Sequence, residues 1–346
     1  MTLIDFDGWP LWGVIALFLA MAVVITLAGM RMTQAADRLA DVTGLGEALF
    51  GAVLLGGSTS LPGIVTSVTA AFEGYAALAV SNAIGGIAVQ TTFLAVADMA
   101  YKQANLEHAA ASVENLVQGA LLATLLSIPL FAMSGPDFTL FGTHPASPLL
   151  LIAYGFGLKL VSTAKSQPLW TPRRTRETQT DEPEEESLGR GELLKLWLVF
   201  VVLAMVVAVA GYIVARSGIT IAGRTGISES VVGALFTAIA TSLPELVTSV
   251  AAVRQGALTL AVGGIIGGNC FDVLFIAFAD MAYREGSIYH AITNQQIFII
   301  ALTQLLTGIL LLGLLRREKS GIGNIGFESF LVILLYLGAM LLLILT

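Results

Sequence analysis

Two carboxylates stand in surroundings where side-chain charge is otherwise scarce. Glu245 follows Pro244 in Ala-Thr-Ser-Leu-Pro-Glu-Leu-Val-Thr-Ser (240–249), and Asp272 ends Gly-Gly-Asn-Cys-Phe-Asp (267–272). An acid at mid-span depth costs about 2.5–3.5 kcal/mol or more unless it is paired or ion-bound, so the default reading is functional. The alternative is a protonated, hydrogen-bonded acid with a structural role. Thr241 and Ser242 precede Pro244, and Thr59 and Ser60 stand in the same way before Pro62. Proline has no N–H, so Pro62 and Pro244 cannot donate to the carbonyls of Ser58 and Ala240. The expectation is a helix broken at each Thr-Ser-Leu-Pro, with freed carbonyls tolerated only in a buried or wet place. Carbonyl, hydroxyl and carboxylate oxygens together suit a hard cation.

The elements that must position these groups are membrane spans. The chain has 346 residues, 56% hydrophobic and 12% charged, with a net charge of −7. Soluble domains carry about 25% charged residues. A single cysteine, Cys270, excludes a disulfide scaffold, and the acidic balance supplies no basic footprint for nucleic acid. Apolar runs occupy 11–30, 46–70, 77–100, 109–133, 147–166, 193–215, 228–253, 257–282, 290–315 and 325–345. Each is long enough to cross a bilayer as a helix, which takes about 20 apolar residues. Acidic Asp5 and Asp7 precede the first run and Arg31 follows it, so it is read as a true span rather than a cleavable signal. The reading is an all-α polytopic membrane protein of ten transmembrane helices.

Orientation follows from Lys and Arg, which favour cytoplasmic loops. Thirteen of them (Arg31, Arg38, Lys102, Lys165, Arg173, Arg174, Arg176, Arg190, Lys195, Arg254, Arg316, Arg317 and Lys319) fall on one side and three (Arg216, Arg224, Arg284) on the other. That places both termini outside, in a plasma (inner) membrane, with the central loop cytoplasmic. The loop, 167–192, is polar, charged and Pro-containing, and reads as a flexible linker.

The chain repeats itself at an offset of 182 residues. Thr-Ser-Leu-Pro recurs at 59–62 and 241–244, Val-Thr-Ser-Val at 65–68 and 247–250, and Ala-Asp-Met-Ala-Tyr at 97–101 and 279–283. Glu47 returns as Glu229 and His108 as His290. Without gaps, 57–103 and 239–285 share 23 identities in 47 positions, beyond chance. The expected organisation is a first repeat over 1–166, the linker 167–192 and a second repeat over 193–346. Five spans per repeat is an odd number, so the second half enters the membrane inverted. Inverted repeats mark secondary transporters, with the site at midplane where the halves meet. Some channels share the property. Glycines in Ile84-Gly85-Gly86 and Ile266-Gly267-Gly268 would let backbones approach closely.

These residues resemble the two α-repeats of the sodium/calcium exchanger (Ca2+:cation antiporter) superfamily. The likeness is sharpest over 44–110 and 226–292, above all in ATSLPELVTS (240–249) and LAVGGIIGGNCFD (260–272). It implies ten helices, with the second, third, seventh and eighth enclosing the ion sites. It also implies cation ligation by Glu245, Asp272, Thr241 and Ser242, with Thr59 and Ser60 opposite. The transported ions, Ca2+ against Na+ or H+, are substrates, and no cofactor is expected. The partners are membrane lipid and inorganic cations, and one copy of the chain is compatible with all of this.

The departures from the family pattern are specific. Gly63 stands where the first repeat should carry its Glu, and Gln90 where an Asn or Asp is expected. Gly86 and Gly268 replace serines, and Ile87 replaces an amide that the second half keeps as Asn269. Asn82 keeps an amide that the second half has lost to Gly264. The candidate cation ligands are therefore Glu245, Asp272, Thr241, Ser242, Asn269, Thr59, Ser60, Asn82 and Gln90. Two acids neutralise one Ca2+ or about two monovalent ions, since uncompensated buried charge is costly. Cation antiport is the first expectation. The others are a monovalent Na+/H+ antiporter, and a passive channel or ion-binding member.

Other residues carry weaker signals. Asp98 and Asp280 precede Lys102 and Arg284 by four positions, an arrangement that stabilises a helix end, with a gate or proton relay as the alternative. His108 and His290 suggest interfacial hydrogen bonding, His144 has no evident partner, and Cys270 reads as packing. Trp9, Trp12, Trp170 and Trp197 read as interface anchors. No phosphate loop, zinc-type His-Glu pair or nucleophile elbow is found, so an enzyme is not expected.

Overall fold

The computed structural model describes residues 4–6, 8–43, 49–100, 105–172, 189–318 and 326–345. The helices are α1 (Leu11–Thr43), α2 (Leu49–Phe72), α3 (Ala76–Ala100), α4 (Leu106–Ala110), α5 (Val113–Ser134), α6 (Ala146–Ser166), α7 (Arg190–Thr225), α8 (Glu229–Val231), α9 (Ala238–Arg254), α10 (Leu258–Asp272), α11 (Leu274–Ala282), α12 (Asn294–Arg316) and α13 (Phe327–Leu345). Among the described residues, nine stretches are long and apolar enough to cross a membrane, α8–α9 and α10–α11 each counting as one. α2 is a further 24-residue helix packed among them. The protein is an all-α, polytopic integral membrane protein. Glu47, Lys102, Lys319 and most of the central loop lie outside the described residues.

Burial separates an inner set of helices from an outer one. In α3, 89% of the apolar window is buried, against 28% in α1 and α7. α1 and α7 pack on each other along the outside, while α3 packs on α9 and α2 on α11. The helices carrying the repeated motifs thus meet across the halves. Close approach is possible because side chains are missing: a Cβ on Gly85 would lie 2.5 Å from the Ala234 Cα. Gly267, its counterpart, is different, since its nearest neighbour is a Gln118 side-chain atom at 3.4 Å.

The expected breaks at Thr-Ser-Leu-Pro are corrected. α2 runs through Pro62 and α9 through Pro244. Proline removes one helix hydrogen bond, whereas unwinding in lipid would strand several backbone groups. Irregularity lies elsewhere, in a π-helical turn at Val232–Thr237 before α9 and in the step from α10 to α11 at Val273.

The helix-pair reading of Asp280 with Arg284 is corrected as well, while for Asp98 the expected partner, Lys102, lies outside the described residues; the partners seen for the two acids are others. Both are fully buried. Asp98 accepts from the N–H of Leu106 at 2.7 Å and of Gly326 at 3.2 Å. Asp280 accepts from the N–H of Ile288 at 3.0 Å and of His144 at 2.8 Å, and from the Ser147 hydroxyl at 2.7 Å. Leu106 and Ile288, like His144 and Gly326, are 182 residues apart. Each carboxylate ties the end of a central helix to the chain entering two others, at α4 and α13 in one case and before α6 in the other. Arg284 stays exposed.

The histidines hold loop segments together. His108 Nδ1 lies 2.8 Å from the Arg317 carbonyl, and Arg317 donates back to the His108 carbonyl. His290 Nε2 lies 3.2 Å from the Gly135 carbonyl. His144 does have partners: it accepts from the Ala146 N–H and stacks 5.5 Å from His290. Burial pulls its pKa below the ordinary 6.5 despite the opposing pull of Asp280. Cys270 is buried against the Gln118 carbonyl, as a packing residue would be. Arg216 bonds to Glu73 and to the Ile4 carbonyl, and Arg224 to the carbonyls of Phe6 and Trp9, fastening the N-terminal segment to the end of α7.

Candidate functional site

Where α2 and α3 meet α9, α10 and α11, a cavity of about 10 Å3 remains, about the room one water needs. Eight of the nine candidate residues line it: Thr59, Ser60, Asn82, Gln90, Thr241, Ser242, Glu245 and Asp272. Gly63, Gly86 and Phe275 complete the wall. Both acids are buried, Glu245 with 7% and Asp272 with 2% of its surface exposed.

The ninth candidate, Asn269, points elsewhere. Its Nδ2 donates to the Thr91 hydroxyl at 3.1 Å, so it joins α10 to α3 outside the cavity. One residue that lines the cavity, Phe275, was not anticipated. Aromatic residues in an apolar span look like core, and no spacing rule separates this one from Phe271.

The hydrogen bonds show how the halves meet. Ser60 donates to Asp272 Oδ1 at 2.5 Å, and Gln90 Nε2 donates to Asp272 Oδ2 at 2.7 Å and to Ser242 Oγ at 3.3 Å. Ser60 and Ser242 are equivalent positions, as are Gln90 and Asp272. The contacts 60–272 and 90–242 are therefore reciprocal, the pattern a two-fold relation produces. Gln90 and Asp272 face each other directly across it, and the amide supplies the donor that a second acid could not.

The two acids differ in what already holds them. Both Asp272 oxygens accept a hydrogen bond. Glu245 Oε2 is buried and has no hydrogen-bond partner among the described residues, and the same is true of Gln90 Oε1. Such acceptors are rare in folded proteins and call for an explanation. Thr59 and Thr241 donate to the Gly56 and Thr237 carbonyls, one turn back along the chain. Asn82 is more committed: its amide donates to Ser67 Oγ and the Gly63 carbonyl and accepts from Thr237. Among the described residues no three His, Cys, Asp or Glu side chains gather as a metal cluster. The site is an oxygen cage with two carboxylates.

Comparison with known proteins agrees with this construction. The sodium/calcium exchanger protein family matches the chain twice, over 13–163 and 195–345, one match per half at the same 182-residue offset. The inner membrane protein YrbG of Escherichia coli is 26% identical over 333 residues, covering 94% of this chain and 98% of that one. The sodium/calcium exchanger MaX1 of Methanosarcina acetivorans is 30% identical over 158 residues, 44% of either chain. Among solved structures, the H+/Ca2+ exchanger CAX superposes with a TM-score of 0.65 at 13% identity, over 96% of this chain and 86% of that one, a likeness of fold. With the family matched over most of its length, the chain belongs to the sodium/calcium exchanger protein family.

Proposed function

We infer that the protein is a secondary active antiporter that exchanges Ca2+ or another cation for Na+ or H+ by alternating access. One observation carries this: among the described residues, Glu245 Oε2 and Gln90 Oε1 have no hydrogen-bond partner in an oxygen-lined cavity where the two halves meet. A dehydrated cation supplies the positive charge they lack, and hydroxyl and amide oxygens take the place of its water shell. Glu245 and Asp272 are the charged ligands, helped by Thr59, Ser60, Thr241, Ser242 and Gln90. Asn82 shapes the floor.

The topology follows from the ten apolar runs and the Lys and Arg bias: ten spans in two inverted five-helix repeats, both termini outside a plasma membrane, 167–192 cytoplasmic. Three contacts support it. The N-terminal segment touches Arg216 and Arg224, His144 touches His290, and His108 touches Arg317, each pair assigned to one side.

Purified protein in liposomes should take up Ca2+ against its gradient when an Na+ or H+ gradient is imposed. Glu245→Gln and Asp272→Asn should each abolish uptake. Full activity in both variants would remove the site assignment, and purely downhill flux would favour a channel. A monovalent Na+/H+ antiporter is the second reading, because only two acids are present and Asp272 is already held by Ser60 and Gln90. It predicts Na+-driven proton flux that Ca2+ neither drives nor inhibits.

A further inference from the structure

The lost first-repeat acid has left no vacant space behind it. A Cβ placed on Gly63 would lie 2.5 Å from Phe275 Cε2, 3.2 Å from Cζ and 3.5 Å from Cδ2. Real Cβ atoms essentially never come within 3.0 Å of another heavy atom, so the Phe275 ring would have to shift to admit one. Phe275 sits in the first turn of α11, three residues beyond Asp272, buried and lining the same cavity. Its ring therefore stands where a side chain at 63 would have to begin.

The other half provides a control. The residue equivalent to Gly63 is Glu245, and the residue equivalent to Phe275 is Phe93. Phe93 is only partly buried, packs against the core and is not part of the cavity wall. Where the acid is present, the phenylalanine stays out of the cavity. Where glycine replaces it, the phenylalanine comes in.

We propose that Phe275 is a specificity-determining residue: its ring takes the place of a third carboxylate arm and limits the site to the cation charge that Glu245 and Asp272 can neutralise. This rests on the reading of the cavity as the ion site. A hydrocarbon wall in that quadrant offers no oxygen ligand, only the weak attraction of an aromatic face for a cation. The site then holds one divalent ion or two monovalent ions, and a third cation has no counter-charge.

The test is a double-mutant cycle on positions 63 and 275, read by calorimetric Ca2+ titration of the purified full-length protein. Gly63→Glu alone should bind Ca2+ no better than the unmodified protein, because the new side chain meets the ring. Phe275→Ala combined with Gly63→Glu should bind Ca2+ at least tenfold tighter than Phe275→Ala alone, about 1.4 kcal/mol. Equal affinity in those two variants, or tight binding by Gly63→Glu with Phe275 in place, would overturn the proposal. Should the glutamate variants not fold, Gly63→Ala replaces them with melting temperature as the readout. A loss in the Phe275 background that disappears in Phe275→Ala supports the proposal, and an equal loss in both overturns it. Glu245→Gln separates the two levels: if it retains normal Ca2+ binding, the ion-site reading itself fails. If it abolishes binding while the cycle shows no coupling, only the role of Phe275 fails.

Discussion

The pair Asp98 and Asp280 and the pair formed by position 63 with Glu245 descend from the same repeat, yet they have fared differently. At 98 and 280 the acid is kept in both halves, and its hydrogen bonds to Leu106 and Gly326 recur as bonds to Ile288 and His144. At 63 and 245 one half keeps the acid and the other has glycine with a phenyl ring against it. A buried carboxylate that accepts several backbone N–H groups is needed wherever those groups are buried, so both copies are held by folding. A carboxylate that meets only a transported ion can be lost from one half, provided the charge of the cargo adjusts. On the proposed reading, retained symmetry here marks architecture, and broken symmetry marks the cargo site.

The largest expected effects break this comparison at its structural end. Asp280→Ala strands two buried N–H groups and a hydroxyl, each worth about 1–3 kcal/mol, so the yield of folded protein in detergent should collapse. Asp98→Ala should behave alike. If either variant purifies normally with an unchanged melting temperature, the tie has been misjudged. By contrast, Glu245→Gln replaces a buried carboxylate whose Oε2 has no hydrogen-bond partner among the described residues, and should raise thermal stability by about 1 kcal/mol while abolishing transport. A destabilised Glu245→Gln protein would show that this acid, too, is structural.

Restoring symmetry should have a middle-sized effect. Gln90→Asp puts a second acid opposite Asp272, where the amide now donates at 2.7 Å. The melting temperature should fall, and added Ca2+ should bring it back, because a ligand bound only by the folded state stabilises it. No response to Ca2+ would argue that the two positions do not share an ion.

The smallest expected effect concerns the loops. The depressed pKa of His144 means that the folded state favours the neutral ring. Its contribution is therefore present above the ordinary 6.5 and is lost as pH falls through the lower folded value. The protection of amides in the segment 136–147, relative to their intrinsic exchange rates, should fall on acidification, and less so in His144→Asn. An equal fall in both would assign the effect to another group.

The cavity was largely legible in the sequence, because acids and Thr-Ser pairs are conspicuous in apolar spans and eight of nine candidates converge. Asn269 does not line the cavity, and a motif gives spacing but no direction: α10 ends at Asp272, and the Asn269 amide nitrogen turns toward Thr91. The long-range partners of Asp98 and Asp280 were not legible, because nearby bases suggest a local pair while the residues that hold these acids include Gly326 and His144, more than a hundred residues away. The prolines suggested breaks that the lipid setting opposes. Phe275 could not be seen at all, since what sets it apart is the glycine it faces across the halves.

The bond between Gln90 and Asp272 bears on coupling. An exchanger must not cycle unloaded, and the obstacle to doing so is bare charge that would have to cross an apolar barrier. Asp272 carries its own internal donors, Gln90 and Ser60, which lower the cost of burying its charge without cancelling it. On the proposed reading, the larger part of that duty falls on Glu245. The tightness of exchange, how rarely the carrier slips, would then rest chiefly on a single side chain.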